Sequence, residues 1–364
     1  MLGLYIHIPF CSGKCGYCDF VSFPDMENMH APYIDALERE MRLYSGTTPD
    51  TLYIGGGTPT ELETRLLKKL LLKISGHFIR VCDFSESTIE VNPESVSRDK
   101  IVLLRQFGIN RVSMGLQSFD DALLKSIGRR HDSECFMSAY ADLRAIGFDN
   151  INIDLMAGIP GQTTETFADT LARIVKLSPE HISVYGLEIG EHSKFSRENV
   201  KPDEDLSRTL LDMACEKLEN AGYLHYEISN FAKPGRESRH NTNYWDNGEY
   251  IGLGCSATSY LVGVRKTNAP MLEMYCSTQS HDDLPVSSCE KLEGKEKNGE
   301  TLMLGLRKLG GMKITEELDR DFGSALRRLA DKKLIMLGDG TAKLTREGVY
   351  LSNEVFREFV PPFD

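Results

Sequence analysis

Long hydrophobic runs and a leader segment are both missing from the sequence. No window approaches the roughly 18 consecutive apolar residues that a membrane-spanning helix needs. The amino terminus, Met-Leu-Gly-Leu-Tyr-Ile-His-Ile-Pro-Phe, carries no basic segment and no cleavage site of small residues. These absences predict a cytoplasmic protein without a membrane span.

Basic residues are fewer than acidic residues in this sequence. Lys and Arg together number 42 against 54 Asp and Glu, and the formal net charge is −12. A surface of this sign does not attract phosphate backbones as a whole, so we expect no nucleic acid partner. The 364 residues suffice for one large domain and a smaller one.

Short apolar runs alternate with helical patterns over the first 230 or so residues. We predict strands at residues 4–8, 51–54, 87–91, 111–115, 151–155 and 181–187, with amphipathic helices between them. Such alternation is typical of a parallel sheet, either doubly wound or a partial (β/α) barrel. In both layouts ligands bind at the carboxyl ends of the strands.

The pattern changes after residue 232, which divides the chain into three predicted parts. Residues 1–232 form the βα region, and residues 300–364 form a small domain. Residues 233–299 either cap the sheet or link these two parts, and we expect 268–299 to be irregular. In the last part we predict helices at 302–309, 314–322 and 324–333, then a hairpin around Gly338-Asp339-Gly340. This order resembles a winged helix, which we expect to pack against its own protein or a partner.

Three of the nine cysteines, Cys11, Cys15 and Cys18, lie in one glycine-containing loop directly after the first predicted strand. In a reducing compartment such crowding indicates a metal site sooner than disulfides. Thiolates are the usual ligands of iron–sulfur clusters, and three of them leave one iron of a four-iron cluster open. A structural zinc site, with His7 as a fourth ligand, and chance clustering are the alternatives.

The spacing Cys-x3-Cys-x2-Cys, with an aromatic residue before the last cysteine, resembles the signature of radical S-adenosylmethionine proteins. The resemblance implies a [4Fe-4S] cluster on Cys11, Cys15 and Cys18 with S-adenosyl-L-methionine at the open iron. In that family, electron transfer from the cluster cleaves S-adenosylmethionine to a 5′-deoxyadenosyl radical, and whether this chain does so is left open by its sequence. The resemblance also implies a partial (β/α)6 TIM-type barrel for the first part of the chain.

Unusual residues stand at successive strand ends, where they support this interpretation. Three consecutive glycines, Gly55 to Gly57, can bring the backbone close to a ligand. Glu90 and Asp154 are carboxylates within apolar runs, which require partners, and Gln117 follows the fourth strand. Each alone could be a structural polar residue; their shared position at the strand ends makes the set stronger.

These segments also resemble a narrower family, the oxygen-independent coproporphyrinogen III oxidase-like proteins. The matching stretches are Tyr-Ile-His-Ile-Pro-Phe-Cys, Gly-Gly-Gly-Thr-Pro-Thr, Gly-Leu-Gln-Ser-Phe and Asn-Ile-Asp-Leu-Met-Ala-Gly-Ile-Pro-Gly-Gln. By this resemblance, S-adenosylmethionine is surrounded by Tyr5, Gly56, Glu90, Gln117, Arg129 and Asp154. A second S-adenosylmethionine site of the oxidase matches Tyr17, Gly57 and Thr58.

Two features favour a heme-binding subgroup of that family, the heme chaperones, over the oxidase. Phe20 stands where the oxidase motif continues with another cysteine, and the first strand begins without the oxidase's amino-terminal extension. The segment His240-Asn-Thr-Asn-Tyr244-Trp245 resembles the heme-linked motif of the subgroup. A histidine can ligate heme iron, although the same cluster could simply pack the barrel mouth. Thr258 departs from the histidine usual there.

The resemblance therefore predicts a protein that binds heme and delivers it to an acceptor protein, with a further protein as reductant. The alternative is an enzyme that converts coproporphyrinogen III to protoporphyrinogen IX, or that acts on another tetrapyrrole. Whether the chain is an enzyme is left open by its residues. If it is one, the resemblance implies an oxidoreductase of the coproporphyrinogen III dehydrogenase type.

Overall fold

The computed structural model describes residues 1–277 and 284–363. The strands are β1 (Leu2–Ile8), β2 (Phe10–Cys11), β3 (Phe23–Pro24), β4 (Thr51–Gly56), β5 (Glu86–Val91), β6 (Arg111–Gln117), β7 (Ile151–Ala157), β8 (His181–Gly186), β9 (Leu224–Glu227), β10 (Asn230–Ala232), β11 (Glu249–Leu253), β12 (Thr258–Leu261), β13 (Val264–Asn268), β14 (Val286–Lys291), β15 (Met312–Lys313), β16 (Ile335–Gly338) and β17 (Thr341–Leu344).

The α-helices lie between and after these strands. They are α1 (Glu27–Met41), α2 (Thr64–His77), α3 (Arg98–Phe107), α4 (Asp121–Ser126), α5 (Ser133–Ile146), α6 (Thr164–Leu177), α7 (Lys194–Arg197), α8 (Glu204–Asn220), α9 (Arg239–Trp245), α10 (Leu272–Ser277), α11 (Gly294–Gly305), α12 (Glu316–Asp331), α13 (Arg346–Tyr350) and α14 (Ser352–Arg357). Helices α2, α3, α5 and α6 lie between the predicted strands, as the sequence predicts.

One 12-stranded sheet organises most of the chain. Its order is β14-β13-β12-β11-β1-β4-β5-β6-β7-β8-β10-β9, and the run from β11 to β8 is parallel. Tyr5 on β1 and Tyr185 on β8 line the same cavity, so the sheet curves towards a barrel. It does not close, because β14 and β9 end the order at opposite edges. The predicted mixed α/β fold with a partial barrel is confirmed.

Local sequence explains why these elements form where they do. Strand β6 is buried along its whole length, as expected for a parallel strand covered on both faces. Ser97 caps α3 through the backbone N–H of Lys100, and Thr163 caps α6 in a capping box. Gly108 ends α3 with a φ of 93°, a conformation that glycine adopts without a steric penalty.

The segment after residue 232 extends the sheet. Strand β11 pairs in parallel with β1, and β12, β13 and β14 follow it as antiparallel strands. The prediction of an irregular stretch at 268–299 is wrong for α10, β14 and the start of α11, and residues 278–283 lie outside the described part. The sequence signal failed because β14 is exposed along its length and therefore carries no apolar face.

The carboxyl-terminal part has a hydrophobic core of its own, which includes Leu302, Phe322, Leu326, Ile335 and Phe359. Helix α12 is continuous where two helices were predicted on either side of Gly323. Its buried face runs across that glycine, so packing outweighs the helix cost of about 1 kcal/mol. Strands β15, β17 and β16 form a small antiparallel sheet that contains the predicted hairpin.

Hydrogen bonds attach this part to the edge of the main sheet. An antiparallel bridge joins Glu227 to Lys308, and the N–H of Ile228 donates to the carbonyl of Arg307 over 3.2 Å. Lys308 also pairs with Asp246. Among residues 1–277 and 284–363, no helix combines the length and apolar character that crossing a membrane requires.

Candidate cluster and ligand site

The cysteine loop leaves the carboxyl end of β1 and is held by backbone hydrogen bonds on several sides. The N–H of Phe23 donates to the carbonyl of Pro9 over 2.7 Å, which closes the loop at its base. Gly16 donates to Ile127 over 2.9 Å and accepts from Phe195 over 2.8 Å. The three thiols are therefore fixed at the strand-end edge of the sheet, as the sequence predicts.

Gly57 and Thr58 fit closely against the first cysteine. The N–H of Thr58 donates to the carbonyl of Phe10 over 2.7 Å, and its hydroxyl oxygen lies 3.5 Å from the Cys11 sulfur. A Cβ on Gly57 would come within 2.5 Å of the Phe10 oxygen and 3.0 Å of the Cys11 sulfur. The glycine is therefore needed because the cysteine loop approaches the chain here too closely for a side chain.

A chain of side-chain hydrogen bonds continues from Thr58 to the second cysteine. Asn92 donates through Nδ2 to the Thr58 hydroxyl over 2.8 Å and accepts through Oδ1 from Arg129 over 2.8 Å. Arg129 also donates to the Gly115 carbonyl over 2.6 Å and lies 3.9 Å from the Cys15 sulfur. Residues from three strand ends thus hold the cysteine loop in place, and the guanidinium group of Arg129 connects them.

The thiol chemistry of the loop fits an iron–sulfur cluster. Burial raises the pKa of the Cys11 and Cys18 thiols, and ligation to a metal deprotonates such thiols outright. No three His, Cys, Asp or Glu side chains of the described residues meet around a point where one ion would sit. A cluster spreads its three thiolate ligands over three irons, and the bound cluster would supply one-electron chemistry.

Glu90 is the central acidic group of the neighbouring strand ends. Its carboxylate accepts from the Tyr53 hydroxyl over 2.7 Å and from the Gly56 N–H over 3.1 Å. Burial and, to a lesser extent, the negative charge of Asp154 raise the pKa of Glu90 to about 7, although the Tyr53 hydrogen bond opposes the shift. A cationic ligand would lower the pKa of Glu90 again, because a nearby positive charge favours the ionised carboxyl group.

Gln117 carries two marks of a ligand-binding residue. Its φ is 74°, a left-handed conformation that is costly for a non-glycine residue. Its Oε1 is buried without a hydrogen-bond partner in the described part of the chain. A buried acceptor in a strained position indicates that a ligand supplies the missing donor. The amino group of S-adenosylmethionine is a donor of this kind.

The other predicted cofactor residues lie around the same edge. Asp154 accepts from Asn152 over 2.7 Å, and burial raises the pKa of Asp154. Tyr17 packs with the small apolar cluster that contains Ile127 and Phe195, and the electrostatic contribution of Arg129 lowers the burial-raised pKa of Tyr17. Tyr5 is hydrogen-bonded to His7 over 2.8 Å.

A cavity of about 820 Å³ adjoins this edge and extends to the carboxyl-terminal part. Its aromatic walls are Tyr5, Phe20, Tyr53, Tyr185, Tyr244, Trp245 and Tyr250. Phe20 is 67% exposed and borders the cavity directly after the cysteine loop. The volume lies within the roughly 300–1,000 Å³ typical of small-molecule sites.

The predicted heme residues line this cavity on helix α9, but His240 is already engaged. Its Nδ1 is hydrogen-bonded to the Thr51 hydroxyl and its Nε2 to the Tyr244 hydroxyl, each over 2.8 Å. Burial and the positive charge of Arg111 lower the pKa of His240 to about 3, so the ring is neutral. A neutral imidazole can ligate iron, provided that one of these two hydrogen bonds opens.

Trp245 and Thr258 complete the predicted set. The guanidinium carbon of Arg307 lies 4.3 Å from the centre of the Trp245 ring, and the indole N–H is buried without a partner among the described residues. The Thr258 hydroxyl oxygen lies 2.9 Å from that of Thr267. At this position the cavity wall therefore offers a hydroxyl already engaged in a hydrogen bond.

Sequence reasoning missed four polar residues of this region. Asn92 connects Thr58 to Arg129, Arg111 is fully buried beneath the site, and Glu227 and Arg307 meet at the far end of the cavity. Asn92 and Glu227 carried a usable signal, since one follows a strand end and the other is a carboxylate in a strand. For Arg307, nothing in its own segment indicated a role.

A thiolate loop on the carboxyl ends of a curved parallel sheet defines the class of radical S-adenosylmethionine proteins. The family model described as Radical SAM superfamily matches residues 5–174. The structure is similar to that of coproporphyrinogen III oxidase (HemN) from Escherichia coli, a radical SAM enzyme. The TM-score is 0.86 at 25% identity, covering 99% of this chain and 90% of that one.

Similarity to curated proteins identifies the family within this class. The chain is 37% identical to heme chaperone HemW of Bacillus subtilis, with 99% of both chains covered. It is 34% identical to HemW of Lactococcus lactis, covering 98% of this chain and 96% of the relative. It is 32% identical to HemW of Mycobacterium tuberculosis, covering 98% and 94%. The chain belongs to the HemW family within the radical SAM superfamily.

Proposed function

We propose that this protein binds heme in the aromatic cavity beside its iron–sulfur site and delivers it to an acceptor protein. The observation that carries the proposal is the cavity itself, about 820 Å³ in volume and walled by seven aromatic side chains. A flat, mostly apolar ligand buries well against such walls. The HemW relatives, which are named heme chaperones, support the same function.

In this proposal the two ends of the site hold different groups. Cys11, Cys15 and Cys18 carry the [4Fe-4S] cluster. S-adenosylmethionine binds among Tyr5, Gly56, Glu90, Gln117, Arg129 and Asp154, with Tyr17, Gly57 and Thr58 beside it. His240, Tyr244 and Trp245 contact the heme. The neutral His240 would hold the heme iron through Nε2, once the Tyr244 hydroxyl no longer occupies that nitrogen.

The partners follow from this division. A reductant protein supplies the electron for the cluster, and an apo-hemoprotein receives the heme, both in the cytoplasm. Nucleic acid is not among the proposed partners, since the net charge of −12 opposes phosphate binding.

Oxidation of coproporphyrinogen III is the second candidate function. It is favoured by the structural similarity to HemN, which extends over 99% of this chain. Phe20 argues against it, because its side chain occupies the position where the oxidase motif carries a further cysteine. The exposed Phe20 ring instead adds apolar surface to the cavity.

Heme titration followed by absorbance tests the proposal directly. Reconstituted wild-type protein should give a saturable spectral change, and His240→Ala should lose the contribution of the axial ligand. His77→Ala, which alters the histidine at the carboxyl end of α2, away from the strand ends that form the site, is the matched control and should behave as wild type. A wild-type protein without any spectral change would refute heme binding.

An anaerobic product assay separates the two candidate functions. The protein is incubated with reductant, S-adenosylmethionine and coproporphyrinogen III, and the products are separated by chromatography. We expect the substrate to remain unchanged. Formation of protoporphyrinogen IX would replace the chaperone function with the oxidase activity.

A further inference from the structure

Three buried polar atoms without hydrogen-bond partners in the described part of the chain lie at one corner of the cavity. They are Oε2 of Glu227, Nε1 of Trp245 and Nε of Arg307, and none has a hydrogen-bond partner within the described residues. All three residues line the cavity, and Glu227 is fully buried. We call this set the polar corner. Buried polar atoms are nearly always satisfied, so their concentration here indicates a missing ligand group.

The polar corner is built by the junction between the barrel and the carboxyl-terminal part. The bridge from Glu227 to Lys308 and the hydrogen bond from Ile228 to the Arg307 carbonyl hold the two strand segments side by side. This places Arg307 Nη2 3.7 Å from Glu227 Oε2 and its guanidinium carbon 4.3 Å from the Trp245 ring centre. The arrangement is therefore fixed by backbone contacts before any ligand binds.

The chemistry of the polar corner suits a carboxylate. The Nε–H of Arg307 and the Nε1–H of Trp245 are donors, and a carboxylate oxygen can accept from both. Glu227 uses its Oε1 to accept from the Ser229 N–H over 3.1 Å and from the Asn230 amide. Its Oε2 lies 3.7 Å from Arg307 Nη2, so Glu227 positions the guanidinium group of Arg307.

A second arginine in the cavity wall lacks this capacity. Arg265 is paired with Glu300, and its Nη1 lies 3.3 Å from Glu290. Two carboxylates therefore lie against Arg265, whereas Glu227 is the one carboxylate paired with Arg307 among the described residues. Of the two arginines in the cavity wall, Arg307 is the one whose Nε is buried without a hydrogen-bond partner among the described residues.

We propose that Trp245 and Arg307, the latter positioned by Glu227, bind a carboxylate of the cavity ligand, which in a heme is a propionate side chain. The proposal rests on the proposed function in so far as the ligand is a tetrapyrrole. It assigns the propionate edge of the ring to the barrel–domain junction and the opposite edge to the cysteine loop. The corner thus sets the orientation in which the ligand is held.

The test compares heme with its dimethyl ester, which has the same ring but no ionised propionates. Both are titrated into reconstituted wild type, Arg307→Met, Trp245→Phe and Arg265→Met. Wild type should bind heme about tenfold or more tightly than the ester, a charge-assisted hydrogen bond being worth at least that factor. Arg307→Met should lose this preference while its affinity for the ester stays unchanged.

The two remaining variants test whether the preference for heme over its ester depends on Trp245 and on Arg265. Trp245→Phe keeps an aromatic ring but removes the indole donor, and should reduce the preference about threefold. Arg265→Met should keep the preference. If Arg307→Met does not fold, the comparison of wild type with Trp245→Phe decides the question.

The possible failures are distinguishable. Equal wild-type affinity for heme and ester would overturn the propionate assignment and leave heme binding intact. A preference retained in Arg307→Met would also overturn it. Binding of neither compound by wild type would refute the proposed function, and the polar corner proposal with it.

Discussion

The cluster end and the cavity end of the site differ in how their polar groups are arranged. At the cluster end, side chains from three strand ends bond to one another in the series Cys11, Thr58, Asn92, Arg129 and Cys15. At the cavity end, aromatic rings form the walls, and the polar groups of Glu227, Trp245 and Arg307 lie together in one corner. The first arrangement suits a small charged cofactor, and the second a large flat ligand with few polar groups.

The difference has a structural origin. The cluster end comes from consecutive βα units, whose strands end at the same edge of the sheet. The cavity end combines β9 and α9 with the residues after α11, which lie far from both in the chain. Changes at the cluster end should therefore affect cofactor content and stability, whereas changes at the cavity end should affect ligand affinity. Four substitutions examine this contrast, in order of decreasing effect.

Replacement of Cys15 should have the largest effect. Cys15→Ala removes one of the three cluster ligands, so iron and sulfide should fall from about four of each per chain to near zero. Anaerobic reconstitution followed by iron and sulfide analysis measures this. Cys82→Ala, at an exposed cysteine, is the control and should keep full cluster content. Undiminished iron in Cys15→Ala would show that the thiolate is not a ligand.

Arg129→Gln should strongly destabilise the cluster end. The substitution removes the guanidinium that donates to Asn92 and Gly115, and leaves both acceptors unpaired. We expect the free energy of unfolding to fall by about 4 kcal/mol, as measured in urea. Arg130→Gln changes an exposed neighbour and should cost less than about 1 kcal/mol. Equal effects of the two substitutions would contradict the network.

Glu90→Gln should change how stability depends on pH. Since burial raises the pKa of Glu90 from 4.5 to about 7, the unfolded chain ionises first as the pH increases. Its contribution to stability is therefore complete below pH 4.5 and lost as the pH rises through about 7, by about 3 kcal/mol in total. Glu90→Gln should lack this loss.

Urea unfolding of both proteins at several pH values measures the effect. The two should differ little in pH dependence below pH 4, where the carboxyl group is neutral in both states. Between pH 4 and 8 the variant should gain stability relative to wild type. Parallel curves over this range would show that Glu90 does not titrate as described.

Tyr244→Phe should have the smallest effect, confined to the cavity end. It removes the hydroxyl that occupies Nε2 of His240, a hydrogen bond of about 1 kcal/mol. Heme affinity should rise about fivefold if His240 is the axial ligand. Titration with heme measures the change, with Tyr260→Phe as the control. A lower affinity would indicate that the Tyr244 hydroxyl itself contacts the ligand.

Much of the cluster end could be predicted from the sequence, because parallel strands bring their carboxyl ends together whatever their detailed packing. Cys11, Thr58, Glu90, Gln117 and Arg129 indeed surround that edge. Asn92 was overlooked although it follows a strand end. The strain at Gln117 could not be predicted, since a positive φ leaves no mark on a non-glycine residue.

Less of the cavity end could be predicted from the sequence, for a physical reason. Strands β13 and β14 are only partly buried or exposed, so apolar periodicity did not reveal them. The motif of His240, Tyr244 and Trp245 was recognisable, but the hydrogen bonds that engage both ring nitrogens of His240 depend on Thr51 from β4 and on the helical turn to Tyr244. Such contacts arise from packing between distant segments.

The sequence by itself determined the cysteine spacing, which is read directly from it, and the βα order and strand ends, which follow from local apolar runs and helical patterns. Only the tertiary structure decided that β11 completes the parallel sheet beside β1, and that Glu227 and Arg307 face each other across 3.7 Å. The cavity volume was decided in the same way. These features depend on how separate elements pack, which no local pattern encodes.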